Sequence, residues 1–181
     1  MKYCSQCGHP VEQIIPEGDN RLRAVCSQCQ CIHYINPKIV AGTIPVFGSK
    51  ILLCKRAIEP RLGYWTLPAG FMEMQETTID AAKRETWEEA MAKVSIDGFY
   101  TMISIPHIGQ VHLFFRATIL DGKYGIGSES LDTQLFEEED IPWDSIAFPT
   151  VKETLKHYFA DRKKDHFPVH TQDIIHNRLK I

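Results

Sequence analysis

A glutamate-rich stretch between residues 70 and 92 constrains this chain more than any other segment. We predict that residues 77–90 form a helix, because Thr77 is a suitable N-cap and Asp80, three residues later, completes a capping box. Side chains three and four positions apart share one face of a helix. The stretch is therefore predicted to be a helix with one acidic face and one inward-packing face.

The acidic face carries three carboxylates: Glu85, Glu88 and Glu89. The opposite face, which we predict to pack inward, consists of Ile79, Ala82, Thr86 and Ala90. Ionised carboxylates in one cluster repel one another, and a hard divalent cation held by their oxygens would relieve that repulsion. The alternative is an ordinary solvated helix face, and the helix taken alone favours this alternative slightly.

A longer pattern includes the helix and the rigid turn that precedes it. Six polar or glycine positions recur at fixed spacing: Gly70, Glu76, Arg84, Glu85, Glu88 and Glu89. The pattern reads G-x5-E-x7-R-E-U-x-E-E, where U is a bulky aliphatic residue. It resembles the Nudix box, the signature of hydrolases that cleave a nucleoside diphosphate linked to another moiety.

Four positions depart from that signature. Gln75 stands where a glycine commonly precedes the first glutamate, and Thr86 is a weak substitute at the aliphatic position. Met91 replaces the glycine that closes the box, and Ala92 occupies the last position. Because methionine adopts the left-handed conformation of such a glycine poorly, we predict that this helix ends in a different way.

The composition is that of a globular protein, with 44% hydrophobic residues and a net charge of -3. This charge gives no general attraction to nucleic acid or to an acidic membrane. The first residues lack the apolar run of a signal peptide, and no segment approaches the ~20 apolar residues of a membrane span. We expect a reducing cytoplasm, where the six cysteines are more readily explained as metal ligands or buried thiols than as disulfides.

Two Cys-x-x-Cys pairs mark residues 1–36 as a small domain of their own. The pairs are Cys4 with Cys7 and Cys26 with Cys29. Their spacing predicts a tetrahedral zinc site, with each pair on a tight turn. Strand-like runs at residues 11–15 and 22–25 predict a hairpin between the pairs, and hence a zinc ribbon. The alternative is a redox or incidental pair of motifs.

Three further donors are not assigned to this zinc site. Cys31 and His33 follow closely, but Cys29 and Cys31 lie only two positions apart and do not make the same turn. Cys54 lies in an apolar run and is interpreted as a core thiol. A segment this small buries little apolar surface, so we expect the metal to supply most of its folding free energy. Its balanced charges favour a protein-contact or dimerisation role over phosphate binding.

Residues 37–181 alternate β-rich runs with a second helix. Strands are predicted at 38–47, 50–55, 94–105, 110–120 and 133–137, and a helix is predicted at 149–160. Pro45 predicts an edge strand or a bulge in the first run. The tail from residue 161 is polar, with a short helix predicted near Asp173. Trp65 is interpreted as a core residue, and His107 and His112 receive no catalytic role.

The resemblance extends beyond the box and covers residues 4–160. The cysteine pairs, an Asn-Pro-Lys junction and the run Gly-Tyr-Trp-Thr-Leu-Pro-Ala-Gly are similar to zinc-ribbon Nudix proteins, especially the plant-type ADP-ribose/FAD pyrophosphatase branch. Residues 104–109 lack the Pro-Trp-Pro-Phe-Pro motif of the NADH pyrophosphatases, which argues against NADH as the substrate. The resemblance implies an α/β fold, the α/β/α Nudix sandwich with a mixed sheet, preceded by the small zinc ribbon.

The resemblance also implies roles for residues around the box. The three glutamates of the acidic face would bind Mg²⁺ or Mn²⁺, with the carbonyl of Ala69, next to Gly70, as a further ligand. Glu76 and Arg84 would pair and hold the loop against the helix. Arg56 would point either toward the substrate phosphates or into a surface salt bridge.

The implied reaction is attack of water on a pyrophosphate phosphorus, which converts FAD to FMN and AMP, or ADP-ribose to ribose 5-phosphate and AMP. The cations would neutralise phosphate charge and lower the pKa of a water molecule. A carboxylate, either Glu85 or Glu129, would accept its proton. The resemblance further implies a homodimer, and the near-neutral ribbon does not favour nucleic acid as a partner.

Two alternative functions stay open. The first is hydrolysis of NADH or another dinucleotide. The second is a nucleotide-sensing regulator without catalysis, whose ribbon binds a partner. Sensors often lose carboxylates of the box, and this chain retains all of them, so the sequence favours an enzyme.

Overall fold

A computed structural model describes residues 1–175 and divides the chain into two compact units. The first unit is Met1–Asn36 and the second begins at Pro37. The last six residues of the predicted polar tail, 176–181, lie outside the described part. None of the helices in the described part has the length and apolar character needed to cross a membrane.

The first unit is built on a three-stranded antiparallel sheet. Its strands are β1 (Val11–Ile14), β2 (Arg23–Cys26) and β3 (Ile32–His33), in the order β1-β2-β3. The predicted hairpin is therefore confirmed as the pairing of β1 with β2. Its register joins Val11 to Cys26 and Ile14 to Arg23.

The second unit contains an eight-stranded sheet and two α-helices. The strands are β4 (Lys38–Phe47), β5 (Lys50–Arg56), β6 (Trp65–Thr66), β7 (Ala69–Phe71), β8 (Val94–Ile105), β9 (Gln110–Ile119), β10 (Ser130–Phe136) and β11 (His170–Asp173). The helices are α1 (Thr78–Ala90) and α2 (Pro149–Arg162). The order is β10-β5-β4-β9-β8-β11, with β6 beside β5 and β7 beside β4. The pairs β4–β9 and β8–β11 are parallel and the other pairs are antiparallel, so the sheet is mixed.

Alternation along the strands places the two helices on opposite faces of this sheet. Successive side chains of a strand point to opposite faces. In β5, Leu53 packs in one core cluster with Leu155 of α2, whereas the adjacent Leu52 packs in another with Ala90 of α1. The prediction of an α/β/α sandwich with a mixed sheet is thus confirmed.

Two predictions about individual elements are wrong. Pro45 lies in β4, an interior strand that pairs with β9 along its length. On the other side β4 pairs with β7 over Val40–Gly42 and with β5 over Val46–Phe47, and Pro45 falls in the gap, where its missing N–H removes no ladder bond. The short helix predicted near Asp173 is strand β11, because tertiary pairing with β8 overrides the local pattern.

Candidate functional site

Helix α1 begins as predicted. Thr77 is the N-cap, its hydroxyl oxygen accepts a hydrogen bond from the backbone N–H of Asp80 at 3.1 Å, and its O–H donates to the Asp80 carboxylate at 2.6 Å. The helix therefore begins at Thr78, one residue after the predicted start. This cap sets which side chains of the helix face the sheet.

The inward face of α1 differs from the prediction in three positions. Its buried residues are Ala81, Ala82, Thr86, Glu89 and Ala90. Ile79 was predicted to pack inward but is 40% exposed, and the smaller Ala81 lies against the sheet instead. Glu89 was assigned to the acidic face, yet only 6% of it is exposed. The most buried carboxyl of the box therefore belongs to the face that packs on the sheet.

The three glutamates of the box lie at different depths. The side chain of Glu85 is 12% exposed and that of Glu88 is 52% exposed. A Cβ atom at position 70 would collide with the carboxylate of Glu85, so Gly70 lets the strand approach the helix there. In the described part of the chain, Oε2 of Glu89 is buried and has no hydrogen-bond partner.

Arg84 is the cation that holds this acidic region together. Its guanidinium pairs with Glu76 at 2.5 Å, with Glu85 at 2.7 Å and with Glu88 at 3.0 Å. It also donates to the carbonyl oxygen of Phe71 at 3.2 Å, which ties the loop after β7 to the helix. The predicted pairing of Glu76 with Arg84 is therefore present in the structure.

Among the described residues, only cysteine-containing groups bring three potential ligand atoms within 4.8 Å of one another. The carboxylate oxygens of the three glutamates are therefore spaced more widely than that.

Burial and neighbouring charges separate the pKa values of these carboxyls. Burial, reinforced by the charge of Glu85, raises the pKa of Glu89 to about 8, although Arg56 opposes the shift. Burial also raises the pKa of Glu85, against the effect of Arg84. The hydrogen bond from Arg84 lowers the pKa of Glu76 to about 2. A buried carboxyl whose second oxygen has no partner favours a proton or a cation, and this fits a divalent metal at Glu89.

The charges of Arg56 and Glu129 both act on Glu89 from a distance. The Nε of Arg56 donates to the carbonyl of Pro60 at 2.9 Å, and its guanidinium lies 5.1 Å from the centre of the Phe148 ring. Arg56 forms no salt bridge in the described part of the chain, so that alternative is not the one observed. Glu129 is exposed, and its charge raises the pKa of both Glu85 and Glu89.

The helix α1 ends in a left-handed residue, contrary to the prediction. Met91 has φ 49° and ψ 25°, and its N–H donates to the carbonyl oxygen of Trp87 at 2.8 Å. The prediction failed because it considered only the intrinsic preference of methionine. A loop from another part of the chain stabilises this helix end.

That loop contributes three hydrogen bonds to the last carbonyl groups of α1. The N–H of Gly125 donates to Ala90 at 2.7 Å, that of Gly127 donates to Glu89 at 3.1 Å, and the hydroxyl of Ser130 donates to Glu89 at 2.8 Å. A Cβ atom at position 127 would collide with the backbone carbonyl of Glu88. Sequence reasoning missed these three residues, although two glycines beside Glu129 were a signal. The loop holds Glu129 near the helix that carries the other glutamates.

Thr86, the weak substitute in the box, has a specific partner. Its hydroxyl donates to the carbonyl of Ala82 at 2.7 Å and lies 2.6 Å from the hydroxyl of Thr43, and both threonines are fully buried. Thr43 lies in β4, so this polar pair joins the helix to the central strand. No motif or spacing in the sequence pointed to Thr43.

An open hollow of about 590 Å³ borders the loop after β7. It is lined by Pro37, Lys38, Ile39, Phe71, Met72, Glu73, Met74 and Gln75. Phe71 is 49% exposed, and the ammonium group of Lys38 lies 5.0 Å from the centre of its ring. The surface combines an accessible aromatic face with a cation, next to the loop that Arg84 holds.

Two interpretations outside the box agree with the structure, and His112 has partners that were not predicted. Trp65 packs edge-on against Phe136, with ring centres 5.0 Å apart, as a core residue does. Cys54 is a buried thiol, and burial together with the charge of Glu89 raises its pKa. His112 is half-buried between Gln110 and Thr150, at 3.0 and 3.1 Å, and burial lowers its pKa to about 4.

The first unit holds a cluster of four sulfur atoms. The sulfurs of Cys4, Cys7, Cys26 and Cys29 lie within 4.8 Å of one another, and three of the pairs are 3.5–3.6 Å apart. Sulfurs around a tetrahedral zinc ion, with Zn–S of ~2.3 Å, are separated by about 3.8 Å. The donor set and its spacing therefore fit zinc.

Two donors that the sequence analysis left out lie against the same cluster. Cys31 and His33 bring a ligand atom each within 4.8 Å of the Cys4 sulfur and of each other. Burial would raise the pKa of Cys4, but hydrogen bonds from the backbone of Gln6 and Cys7 and from the side chain of His33 lower it to about 6. The two-residue spacing after Cys29 does not reveal that β3 pairs with β2 and brings the chain back to the sulfur cluster.

Two family models together match most of the chain. The zinc-ribbon model described as "Nudix N-terminal" matches residues 2–35, and the "NUDIX domain" model matches residues 36–141. The chain therefore belongs to the Nudix family, and its N-terminal unit is a zinc ribbon of the Nudix type. A crystal structure of a NUDIX hydrolase from Nitrosomonas europaea is 50% identical, with a TM-score of 0.93, and the match covers 96% of this chain and 99% of that one.

Curated relatives share less of the sequence. The NAD-capped RNA hydrolase NudC of Salmonella typhi is 29% identical over 144 residues, which are 78% of this chain and 53% of the relative. The ADP-ribose pyrophosphatase of Methanocaldococcus jannaschii is 31% identical over 113 residues, 60% of this chain and 67% of the relative. The chain thus spans about half the length of the NudC relatives that it matches.

Proposed function

We propose that this protein hydrolyses the pyrophosphate bond of a nucleoside diphosphate derivative in the presence of a divalent metal. The proposed substrates are FAD and ADP-ribose, and AMP is the common product. The observation that carries the proposal is the complete glutamate set of the box, in which Glu89 keeps one buried oxygen without a partner. The named hydrolases among its relatives support the same reaction class.

Glu85, Glu88 and Glu89 are the proposed ligands of Mg²⁺ or Mn²⁺, with the carbonyl of Ala69 as a further ligand. When bound, such a cation supplies charge neutralisation at the phosphate oxygens and a more acidic water. Arg84 keeps Glu85 and Glu88 oriented through ion pairs at 2.7 and 3.0 Å. Glu76 completes this support, so its proposed role is structural more than chemical.

Proton acceptance is assigned to Glu85 or Glu129. Burial already raises the pKa of Glu85, and a general base works best when its pKa approaches the operating pH. Glu129 lies on the loop that is hydrogen-bonded to the end of α1, so it stays close to the other carboxylates. Arg56 offers its charge to the phosphates from the end of β5.

The hollow beside Phe71 is proposed to hold the flat ring of the nucleotide. Its accessible aromatic face and Lys38 suit a stacked heterocycle. A second candidate function is hydrolysis of NADH or of a nicotinamide cap on RNA, which the NudC relatives favour. The absence of a Pro-Trp-Pro-Phe-Pro run at residues 104–109 favours the first candidate. A nucleic-acid substrate would follow only from the second.

The remaining assignments complete the proposal. Residues 1–36 are the zinc ribbon and residues 37–181 are the Nudix domain. We infer that Cys4, Cys7, Cys26 and Cys29 bind a structural Zn²⁺. A homodimer and a cytoplasmic location remain expectations from the sequence.

The test is product analysis with Mg²⁺ and a panel of FAD, ADP-ribose, NADH and coenzyme A. We expect AMP from FAD or ADP-ribose at the highest kcat/KM. Glu89→Gln should lower kcat at least 100-fold, because electrostatic stabilisation and proton transfer each contribute factors of that order. The control is Glu139→Gln, which changes an exposed glutamate after β10. Equal turnover by wild type and Glu89→Gln would refute the assignment, and nucleotide binding without any AMP release would favour the regulator.

A further inference from the structure

Strand β3 brings two side chains back to the four-cysteine cluster. The turn after Cys26 is closed by a hydrogen bond from the N–H of Gln30 to the Cys26 carbonyl at 2.9 Å, and Gln30 has φ 59°. The chain then pairs antiparallel with β2, with His33 opposite Ala24. Cys31 immediately precedes this strand, and residues two apart in an extended chain share a face. Cys31 and His33 therefore face the same sulfur.

His33 makes a direct contact with that sulfur. Its Nε2 atom lies 3.3 Å from Sγ of Cys4, whose residue is only 3% exposed. The N–H of Gln6 approaches the same sulfur at 3.4 Å. A zinc-bound thiolate has no proton, so its sulfur can only accept hydrogen bonds. In the zinc-bound ribbon, His33 must then carry its proton on Nε2 and donate it to Cys4.

We propose that His33 is a positioning residue that hydrogen-bonds to the Cys4 thiolate and retains zinc without binding the metal itself. The four cysteines already complete a tetrahedral shell, which leaves the imidazole outside it. Groups that hydrogen-bond to metal ligands orient them and strengthen the site. The inference goes beyond the proposed hydrolysis and uses only the inferred zinc binding of the ribbon.

The experiment compares zinc affinity in the full chain, loaded with one zinc ion, by competition with a chromogenic chelator. We expect His33→Ala to bind zinc about 10-fold to 100-fold more weakly, as losses of such partners typically do. His33→Gln, which retains a side-chain N–H donor, should recover part of the loss. His9→Ala is the matched control, because His9 is exposed and its Nδ1 contacts the carbonyl of Cys7 at 3.2 Å rather than a sulfur.

Two spectroscopic readouts separate positioning from coordination and from general destabilisation. Replacement of zinc by Co²⁺ should give the same tetrathiolate absorption spectrum in wild type and in His33→Ala. The ¹⁵N NMR spectrum of the zinc-bound wild type should show the Nε2–H tautomer of His33. Unchanged zinc affinity in His33→Ala, or an equal loss in His9→Ala, would overturn the proposal. A Co²⁺ spectrum that changes in His33→Ala would identify a ligand instead, and a wild type without zinc would refute the zinc site itself.

Discussion

In the first unit, the buried side chains are Cys4, Ala24, Val25 and Cys26, and two of these are thiols of the sulfur cluster. The second unit buries three apolar clusters between its mixed sheet and the two helices. Burial of four small side chains is far below what a stable hydrophobic core requires. The comparison indicates that the sulfur cluster supports the first unit, whereas apolar burial supports the second.

This difference in the source of stability also determines how the candidate functional groups of each unit relate to its folding. In the ribbon, two of the four cysteines that we infer to bind zinc also make up half of the buried residues. In the Nudix domain, the apolar core tolerates a destabilising group. Glu89 is buried there with one oxygen unpaired in the described part of the chain, and burial of an unpaired polar atom costs free energy. We therefore expect the second unit to stay folded when its candidate site residues are changed, and the first unit to unfold when its sulfur cluster loses the proposed metal.

The largest predicted effect is zinc removal. Exhaustive chelation of the full chain should unfold Met1–Asn36 and leave the second unit folded, because structural zinc contributes on the order of 10–16 kcal/mol in zinc-finger peptides. The measurement is amide NMR. Signals of the ribbon should collapse to random-coil positions, while those of the sheet β4–β11 stay in place.

Zinc added back should restore the ribbon signals. Cys26→Ser should reproduce the chelated state without chelator, whereas Cys54→Ser, which changes a thiol in the second unit, should keep the ribbon folded. Ribbon signals that survive chelation would contradict this difference between the units, since the first unit would then be stable without its metal.

An intermediate effect is predicted for pH, and it concerns the second unit alone. Burial lowers the pKa of His112 to about 4, whereas an unfolded histidine titrates near 6.5. The unfolded state therefore binds a proton first as the pH falls. Stability contributed above pH 6.5 is lost between about 6.5 and 4. This loss amounts to about 2 kcal/mol at pH 5.

The measurement is urea unfolding at pH 7.5 and pH 5, followed by tryptophan fluorescence. All three tryptophans lie in the second unit, so the signal excludes the ribbon. His112→Gln should lose about 2 kcal/mol less than wild type between the two pH values. His166→Gln, which changes an exposed histidine, should keep the wild-type dependence. An equal pH dependence in all three proteins would show that burial of His112 has no energetic consequence.

The sequence predicted the parts of both units that depend on local spacing. The spacing of the Cys-x-x-Cys pairs predicted the cluster of four sulfurs, and the capping of α1 by Thr77 depends on residues three apart. The strands of the hairpins followed from patterns of the same short range, and these local predictions needed no knowledge of how distant segments meet. The mixed sandwich, in contrast, was predicted from the resemblance to the Nudix family.

Most of the failures involve partners that are remote in the chain. Met91 takes a left-handed conformation at a helix end that the loop around Gly127 completes, and His33 reaches Cys4 across 29 positions through a strand of two residues. The exception is Arg84, which was predicted to pair with Glu76: its additional partners Glu85 and Glu88 are near in sequence, but these ion pairs depend on side-chain depths that spacing does not encode. Local preference is a weak guide where tertiary contacts decide the conformation.

The smallest predicted effect tests how the second unit tolerates polarity in its core. Thr86 donates its only hydroxyl proton to Ala82, so in the pair at 2.6 Å Thr43 must donate to Thr86. Thr86→Val restores an aliphatic residue in the box but leaves the buried hydroxyl of Thr43 without its acceptor, which should cost about 1–3 kcal/mol. Thr43→Val should cost less, because Thr86 keeps its bond to Ala82.

The double variant should be less destabilised than the sum of the single ones, with a coupling of about 1 kcal/mol in urea unfolding at pH 7.5. A Thr43→Val variant less stable than Thr86→Val would reverse the assigned direction of this hydrogen bond, and strict additivity would show that the pair is not coupled.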